Sequence, residues 1–325
     1  MQALNQWRSR LSGTSFDTRS VFKILAILFG LVVLASIVSQ GIFLQPRNLV
    51  NLVLQNSMLI IVALGQLLVI ITGGIDLSVG SMLAISSVLI VLFQDYGLAP
   101  AFVVALLVAL LFGLTNGFLV TYVRLPAFVV TLATLQIGSS IAKVLSGGGA
   151  VYTGYRGAEI PAGLGTFYKG SILGIPYPLI VCVIFILVIA YYLRTSNGHF
   201  IYPVGGNLRA AFLSGIPVKR VKMIVYMISA ALCAFAGLLF VARVGMGDPQ
   251  TGQWLPLDSI AAVSIGGASL SGGIGTVAGT VIGVIILSVL NNLMNLLGVP
   301  PTFQPAIKGV VILIAVYLNS ARKQN

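Results

Sequence analysis

The chain of 325 residues is 58% hydrophobic and only 7% charged, and its 18 basic against 6 acidic residues give a formal net charge of +12. Soluble domains are about 45–50% apolar and about 25% charged, so a water-soluble fold could not cover its surface with so few charges. Nucleic-acid binding is also excluded. The basic residues lie between long apolar runs, and they do not alternate with aromatic residues on a polar face. The composition instead predicts a protein embedded in membrane lipid.

A helix needs about 20 apolar residues to cross a bilayer. Ten segments come close to this length: 21–39, 50–72, 79–93, 100–122, 126–145, 177–193, 223–242, 257–270, 275–297 and 304–320. The third and eighth are short and adjoin glycine-rich stretches, and irregular backbone at membrane depth is tolerated only against protein or water. The sequence therefore predicts an all-α, polytopic membrane protein of about ten transmembrane helices, with short or broken helices near the glycine-rich motifs.

The basic residues predict the orientation. With ten spans and a cytoplasmic N-terminus, twelve Lys and Arg fall in inner segments and five in outer segments. Basic residues concentrate on the cytoplasmic side, so both termini are expected there. The predicted organisation is a cytoplasmic tail over 1–20, a single transmembrane domain over 21–321 and a short cytoplasmic tail over 322–325. Two loops stand out within it, a glycine-rich outer loop at 146–175 and a basic inner loop at 194–222.

Small residues recur at every fourth position late in the chain, a spacing that lets helix backbones approach closely in lipid. The residues predicted to pack helices in this way are Gly267, Ser271, Gly275, Gly279 and Gly283. The stretch Gly73–Ser78 also weakly resembles Gly266–Ser271. The two cysteines, Cys182 and Cys233, lie in apolar runs and are expected as small hydrophobic side chains.

The sequence argues against an enzyme. His199 is the one histidine, and no catalytic triad, carboxylate pair or metal-ligand spacing is present at membrane depth. A phosphate-binding loop needs Gly-Lys followed by Ser or Thr, and no lysine here follows a glycine. If transport by this protein uses ATP, another subunit must bind the nucleotide.

Ionisable groups inside a bilayer cost about 2.5–3.5 kcal/mol on insertion scales and are functional candidates for that reason. Asp76 lies in the break Gly73–Gly80, where a helix cap and a functional role are equally open, and Lys308 lies within the last span. Amides suit hydroxyl-rich neutral solutes, although the more common role of any single one is to link two helices. The candidate residues of a translocation pathway or gate are Asp76, Ser78, Asn116, Phe128, Asp258, Asn291, Asn292, Asn295 and Gln304.

The inner loop contains the sharpest local pattern. Asn207 suits the N-cap of a short helix, and Gly215 suits the position after its end, before Pro217. A short amphipathic helix on the cytoplasmic face could dock into a groove on a partner. It could also be an ordinary interfacial helix at the membrane surface, held by anionic lipid, which is the reading that composition alone favours.

Five stretches in order resemble the signature stretches of the ribose-type ABC sugar permeases, over residues from about 20 to 320: Gly73–Ser81, Leu125–Leu132, Gly205–Ile216, Ile260–Gly273 and Val289–Gly298. The resemblance implies a permease of the bacterial inner membrane that dimerises, with a second identical copy as the expected partner. It also implies a cytoplasmic ATPase subunit, which holds the ATP and Mg²⁺, and a periplasmic sugar-binding protein. This chain would bind no cofactor of its own.

Within the inner loop, the stretch from Arg209 is similar to the ATPase-coupling pattern of ABC permeases, with Arg209 in place of its Glu. The implied coupling residues are Gly206, Asn207, Arg209, Ala210, Ala211, Gly215 and Ile216. One departure precedes the eighth span, where the family's Tyr-Glu-Leu-Asp is replaced by Leu255–Asp258, so that Pro256 stands at the acidic position. Two alternatives remain open at this point. One is an ion-coupled secondary carrier that depends on Asp76. The other is an ABC permease for branched-chain amino acids, which would need a zwitterion site whose two charges Lys308 and Asp76 could supply.

Overall fold

The structure, a computed structural model, describes residues 18–152 and 162–321. The predicted tails fall mostly outside this range, as do Tyr155 and Glu159 of the outer loop. The first helices are α1 Thr18–Val38, α2 Pro46–Ile71, α3 Val79–Leu92, α4 Leu98–Thr121, α5 Ala127–Ser146, α6 Ala162–Lys169 and α7 Tyr177–Arg194. They are followed by α8 Ser196–His199, α9 Ile201–Gly206, α10 Leu208–Leu213, α11 Val218–Val244, α12 Leu255–Ile265, α13 Val277–Leu296 and α14 Gln304–Ala321.

Each of the ten predicted segments coincides with one of these helices. Among the described residues, six helices are long and apolar enough to cross a membrane, namely α2, α4, α5, α7, α11 and α13. Helices α3 and α12 have only 14 and 11 residues, and both lie beside the glycine-rich motifs as predicted. The chain is a polytopic helical membrane protein, whereas the count of ten spans stays a prediction.

The interior of the bundle is built around α2 and α11. From Leu59 to Ile71 every residue of α2 is buried, which is typical of a helix that is hydrophobic on all sides and surrounded by other helices. The peripheral helices α4 and α7 instead expose Leu107, Leu111 and Leu187 to the surroundings. An apolar surface of this extent fits a hydrocarbon environment.

In the part of the chain that the structure describes, four β-strands of two residues each make two small antiparallel pairs. Strand β1 (Val151–Tyr152) pairs with β4 (Met246–Gly247), and β2 (Ser171–Ile172) forms a hairpin with β3 (Ile175–Pro176). The first pair joins the loop after α5 to the end of α11, and the hairpin leads into α7. Both therefore lie at the end of the bundle that the basic residues predict to face outward.

Both cysteines are free and fully buried, as the sequence predicts. Cys182 on α7 donates through Sγ to the carbonyl of Ser57 on α2 at 3.4 Å, and Cys233 lies in the interior of α11. They pack as small side chains between helices.

Glycines allow α4 to cross α11 at very short range. A Cβ placed on Gly113 would lie 2.7 Å from the carbonyl oxygen of Tyr226, and one on Gly117 would lie 2.9 Å from the Cα of Met223. Both contacts involve the backbone of α11, which cannot move aside as a flexible side chain could. The close crossing therefore requires glycine at both positions.

We expect Gly113→Ala to destabilise the purified protein by about 1–3 kcal/mol, the usual cost of overpacking a tight interior. Gly30→Ala is the matched control, because a Cβ there would meet nothing within 4 Å and alanine is favoured over glycine in a helix. Thermal unfolding in detergent, followed by fluorescence-detected gel filtration, should show a lower Tm for Gly113→Ala only. Equal Tm values for the two variants would contradict the close crossing.

The break between α2 and α3 and the break between α12 and α13 meet in space. The backbone N–H of Gly273, in the second break, donates to the carbonyl of Ile71, the last residue of α2, at 2.8 Å. Gly73, Gly267, Gly272 and Gly273 all have φ between 75° and 87°, a conformation that side chains with a Cβ rarely adopt. A Cβ built on Gly73 would lie 3.8 Å from the carbonyl oxygen of Ser271, so the two stretches that resemble each other in sequence lie next to each other.

The predicted four-residue repeat of small residues spans more than one element. Gly279 and Gly283 lie on α13, where a Cβ would overlap the carbonyl oxygens of Gly266 and Ala262 at the end of α12. Gly275 packs on the side chains of Leu67 and Ile71 from the break before α13, and Gly267 and Ser271 also lie in that break.

Candidate functional site

The carboxyl group of Asp76 lies at the centre of a buried polar network. Its Oδ1 accepts hydrogen bonds from the backbone N–H of Ser78 at 2.9 Å and from the Ser78 hydroxyl at 2.6 Å. Its Oδ2 accepts from the hydroxyl of Ser229, on α11, at 3.0 Å. Asp76 is only 2% exposed, and both carboxyl oxygens are engaged. The side chain therefore fixes Ser78, the residue just before α3, and ties this segment to α11.

Asn116 extends this network to α4 and α5. Its Nδ2 donates to the Ser78 hydroxyl at 2.9 Å, and its Oδ1 accepts from the Thr134 hydroxyl at 2.8 Å. Thr131, one turn earlier on α5, donates to the carbonyl of Ile75 at 3.1 Å. Three of the predicted pathway residues, Asp76, Ser78 and Asn116, are thus brought together. They form a satisfied, closed network that joins α3, α4, α5 and α11.

Most of the other predicted residues lie around a separate polar pocket of about 250 Å³. It opens between the first half of α2, the end of α11, the second half of α13 and the start of α14. Its lining side chains are Leu52, Gln55, Asn56, Arg243, Ser288, Asn291, Asn292, Asn295, Gln304 and Lys308. Nine of these ten lining residues are polar, and Leu52 is the one aliphatic residue. Polar groups in a lipid-embedded bundle are costly unless they contact water or a solute.

Hydrogen bonds fix the walls of this pocket. Asn292 on α13 and Asn48 on α2 exchange two amide hydrogen bonds of 2.9 and 3.0 Å. Gln304 at the start of α14 donates through Nε2 to Asn295 Oδ1 at 2.9 Å and to the carbonyl of Val299 at 3.1 Å. These pairs hold α2, α13 and α14 together at one end of the bundle.

An ion pair completes the pocket. Lys308 Nζ lies 3.1 Å from Asp258 Oδ2, and both side chains are only about a fifth exposed. Asp258 lies in the first turn of α12, where a negative charge also favours the helix N-terminus. The pairing places Lys308 beside Asp258 and not beside Asp76. It therefore gives no support to a zwitterion site made of Lys308 and Asp76.

The remaining predicted residues lie elsewhere. Phe128 is exposed on the first turn of α5. Pro256 is buried in the first turn of α12, where its Cδ lies 3.2 Å from a Cβ built on Gly80. Proline fills the space beside α3 at this position. Its missing N–H is tolerated, because an N–H in the first turn of a helix has no acceptor within the helix.

The predicted inner-loop helix is confirmed as α10. The side chain of Asn207 accepts a hydrogen bond from the backbone N–H of Ala210 at 2.9 Å, as an N-cap does. Gly215 follows the helix with φ 80°, and the N–H of Ile216 donates to the carbonyl of Ala211 at 3.1 Å. Both ends of the helix thus carry the capping residues that the sequence indicates.

Helix α10 presents an apolar surface outward. Phe212 and Leu213 are 70% and 76% exposed, and Leu208 is exposed beside them. Among the predicted coupling residues, Gly206, Asn207, Arg209, Ala210 and Gly215 are exposed, Ile216 is half-buried and Ala211 is buried. The exposed aromatic and leucine side chains form an apolar patch on α10.

Helix α9 connects this surface to the two breaks. A Cβ on Gly205 would overlap the carbonyl oxygen of Ile71 and lie 2.7 Å from the nitrogen of Gly273, so Gly205 fits against the hydrogen bond that joins the breaks. The Tyr202 hydroxyl donates to the carbonyl of Gly275 at 3.1 Å. Burial raises the pKa of the Tyr202 hydroxyl, which therefore stays protonated as a donor. We name this contact of Tyr202 and Gly205 with Ile71, Gly273 and Gly275 the α9 junction.

Sequence reasoning missed several members of both sites. Ser229 and Thr134 complete the Asp76 network, whereas Asn48, Gln55, Asn56, Arg243 and Ser288 belong to the pocket or its walls. Asn48 and Asn56 stand eight residues apart on α2, about two helical turns, which is the signal that could have indicated a shared polar face.

Known proteins are similar to this chain over almost its whole length. The branched-chain amino acid transport system / permease component family matches residues 48–316. The ribose import permease protein RbsC of Bacillus subtilis is 40% identical over 295 residues, which cover 90% of each chain. RbsC of Escherichia coli K12 is 38% identical, covering 96% of this chain and 98% of its own. The xylose transport system permease protein XylH of Haemophilus influenzae is 33% identical, covering 94% and 97%.

No solved structure is significantly similar to the chain. The family match extends from the third residue of α2 into α14 and so includes the Asp76 network, the α9 junction and the polar pocket. The chain therefore belongs to the branched-chain amino acid transport system / permease component family.

Proposed function

We propose that this chain is the transmembrane permease subunit of an ATP-binding-cassette importer for a monosaccharide, with an aldopentose such as ribose or xylose as the expected solute. The observation that carries this proposal is the similarity to ribose and xylose permeases, at 33–40% identity over at least nine tenths of this chain. The amide-rich pocket supports it, since amides both donate to and accept from hydroxyl groups.

The proposed assembly lies in the bacterial inner membrane and contains two identical copies of this permease. Ten spans would place both termini and the segment α8–α10 in the cytoplasm, which agrees with the excess of basic residues in inner segments. The polar pocket then faces the periplasm, because its residues on α2 lie about 22–28 Å from the α9 junction at the other end of that helix. A periplasmic binding protein would deliver the sugar there.

ATP would be bound and hydrolysed by a separate cytoplasmic subunit that docks on the exposed surface of α10. Phe212, Leu213 and Leu208 supply the apolar anchor of such a contact. Movement of α10 passes to α9, and through the α9 junction to the breaks 72–78 and 266–276. These breaks are the proposed moving elements of alternating access, because glycine-rich backbone outside a helix can absorb large changes in φ and ψ.

Reconstituted vesicles test the proposal. Vesicles would contain this chain, its ATPase subunit and its binding protein, and each component would be omitted in turn. The substrate panel would contain labelled D-ribose, D-xylose and L-leucine. We expect ATP-dependent uptake of a pentose that requires all three components. Uptake by this chain alone, abolished when the ion gradient collapses, would establish a secondary carrier instead, and uptake of L-leucine alone would establish an amino acid permease.

A further inference from the structure

We propose that one anionic phospholipid binds where α4 ends and α11 begins, with its phosphate at Lys219 and Arg124 and an acyl chain along an exposed ridge of α4. This lipid site is independent of the transported solute and so goes beyond the proposed function. The carrying observation is a contact between a cation and an aromatic ring, which holds the charge of an exposed lysine at the end of an apolar helix face.

Tyr122, the residue after α4, joins the two helix ends. Its ring stacks on that of Phe118, one turn earlier, with the centroids 5.4 Å apart and an interplanar angle of 18°. The Nζ of Lys219, in the first turn of α11, lies 4.6 Å from the centroid of the Tyr122 ring. The close crossing at Gly113 and Gly117 holds α4 against α11 just before this point. The lysine charge is therefore held at a defined place beside the aromatic pair.

An exposed apolar ridge on α4 leads to this contact. Its members recur every three or four residues, which places them on one face of the helix. They are Leu107, Leu111, Leu114, Phe118 and Tyr122, all exposed on the outside of the bundle. At 1.5 Å per residue the ridge is about 22 Å long, which exceeds the roughly 15 Å of hydrocarbon in one leaflet. An acyl chain can therefore lie along the ridge while its headgroup reaches Lys219.

Three exposed basic side chains lie at the end of the ridge. Arg220 follows Lys219 in the chain, and Arg124 is two residues after Tyr122, so that the Cα atoms of Arg124 and Tyr122 are at most about 7 Å apart. A guanidinium group donates two parallel hydrogen bonds to a phosphate, and an ammonium group adds a compact positive charge. The combination of lysine and arginine therefore suits a phosphate group.

No acidic side chain among the described residues neutralises these cations. Asp76 is buried in its own network, and Asp258 pairs with Lys308. Asp248 follows the far end of α11, and Asp95 follows α3 near the same end. Charge complementarity therefore favours an anionic partner from outside the chain. A lipid meets both requirements of the site, because its phosphate pairs with the cations and its acyl chain covers the ridge, which a cytoplasmic protein surface cannot reach.

The backbone at Arg124 gives independent support. Its φ is 65°, in the left-handed region where glycine is usual just after a helix. A residue with a Cβ costs free energy in this conformation, which persists where the surroundings or a function maintain it. The chain thus keeps a guanidinium group at a position where glycine would fit the backbone better.

The test is lipid binding to the purified full-length permease in detergent, measured by native mass spectrometry. Phosphatidylglycerol and phosphatidylcholine with identical oleoyl chains are titrated separately, so that the headgroup is the one difference. We expect phosphatidylglycerol to bind about tenfold more tightly or better. Lys219→Gln should reduce this preference about fivefold, which is the usual contribution of one basic residue at an anionic surface. Its Tm should equal that of wild type, because the side chain is exposed.

Arg194→Gln is the matched control. It removes one exposed positive charge at the same end of the bundle, from the end of α7, and should leave the lipid preference unchanged. Arg124→Gly should lower the preference and keep or raise the Tm, because glycine adopts a φ of 65° without strain. Tyr122→Leu keeps an apolar side chain and loses the ring, so it should lower the preference about twofold to threefold.

Each result decides between the lipid site and its rivals. Equal affinity of the wild type for the two lipids overturns the site. An equal loss of preference in Lys219→Gln and Arg194→Gln also overturns it, since the effect would then be one of net charge. Competition by glycerol phosphate at the concentration of the lipid would assign the cations to a free phosphate instead. Unchanged lipid preference in Lys219→Gln with weaker binding of the ATPase subunit would assign Lys219 to a protein contact. None of these results concerns the solute, so the proposed function is tested separately.

Discussion

Replacing Asp76 by leucine is expected to lower the free energy of unfolding by about 3 kcal/mol or more, with a matching loss of folded protein in the membrane. The variant leaves the backbone N–H of Ser78 and the hydroxyls of Ser78 and Ser229 without their acceptor in a buried site. Each orphaned donor costs about 1–3 kcal/mol. Thermal unfolding of the purified permease measures the effect.

Asp76→Asn separates a structural role from an ion-coupling role. Its carboxamide oxygen can still accept from Ser78, and its NH₂ group can donate to the Ser229 hydroxyl, which is able to accept. We therefore expect near-normal Tm and near-normal ATP-dependent uptake. An ion-coupled carrier predicts the opposite, because asparagine cannot take up or release a proton at this position. Normal Tm combined with complete loss of uptake would contradict the structural role.

Gly205→Ala is expected to reduce ATP-driven uptake by the reconstituted assembly at least tenfold. The added Cβ would overlap the carbonyl oxygen of Ile71, so α9 must separate from the two breaks. ATP hydrolysis should persist, because the proposed docking surface on α10 is unchanged, and the ratio of solute moved to ATP consumed should fall. The measurement is parallel uptake and phosphate release in the same vesicles, with Gly30→Ala as the control. An unchanged ratio would show that the α9 junction carries no coupling.

Tyr202→Phe tests the same junction with a smaller change. It removes the hydrogen bond to the carbonyl of Gly275 and keeps the aromatic ring. A lower uptake-to-hydrolysis ratio is expected at unchanged Tm. Tyr191→Phe, on the exposed face of α7, is the matched control and should behave as wild type. Equal ratios in the two variants would restrict the contact to a packing role.

Local features of the fold could be predicted because their signals lie close together in the sequence. Asn207 and Gly215 are eight residues apart and bracket α10 as N-cap and terminating glycine. The short helices α3 and α12 follow equally from apolar runs interrupted by glycine. In each case the residues that determine the structure are the residues of the element itself.

The sites could be predicted only in part, because their contacts join distant positions. Asp76 is tied to α11 through Ser229, which is 153 residues away, and Asn292 pairs with Asn48 across 244 residues. The sequence shows that both side chains are polar at membrane depth, and it cannot show whether each has a partner. For the same reason it places Asp76 and Asn291 in one candidate pathway, whereas the structure separates a closed network from an open pocket.

Gly205 is a further example in which a contact between distant positions could not be predicted, and here the contact involves the backbone. Sequence reasoning identifies a glycine pair before an N-cap, which is compatible with a simple flexible loop. Only the approach of the Ile71 carbonyl explains why position 205 must lack a side chain while a Cβ on Gly206 would meet nothing within 4 Å.

The burial of both cysteines has a practical consequence for establishing topology. Water-soluble maleimides cannot reach Cys182 or Cys233 in the folded protein, so the native chain serves as its own unreactive background. A single cysteine at Phe212, on α10, or at Leu173, on the β2–β3 hairpin, would then be the sole target at one end of the bundle. Labelling sealed vesicles of known sidedness with an impermeant reagent assigns each end to the cytoplasm or the periplasm in the wild-type background.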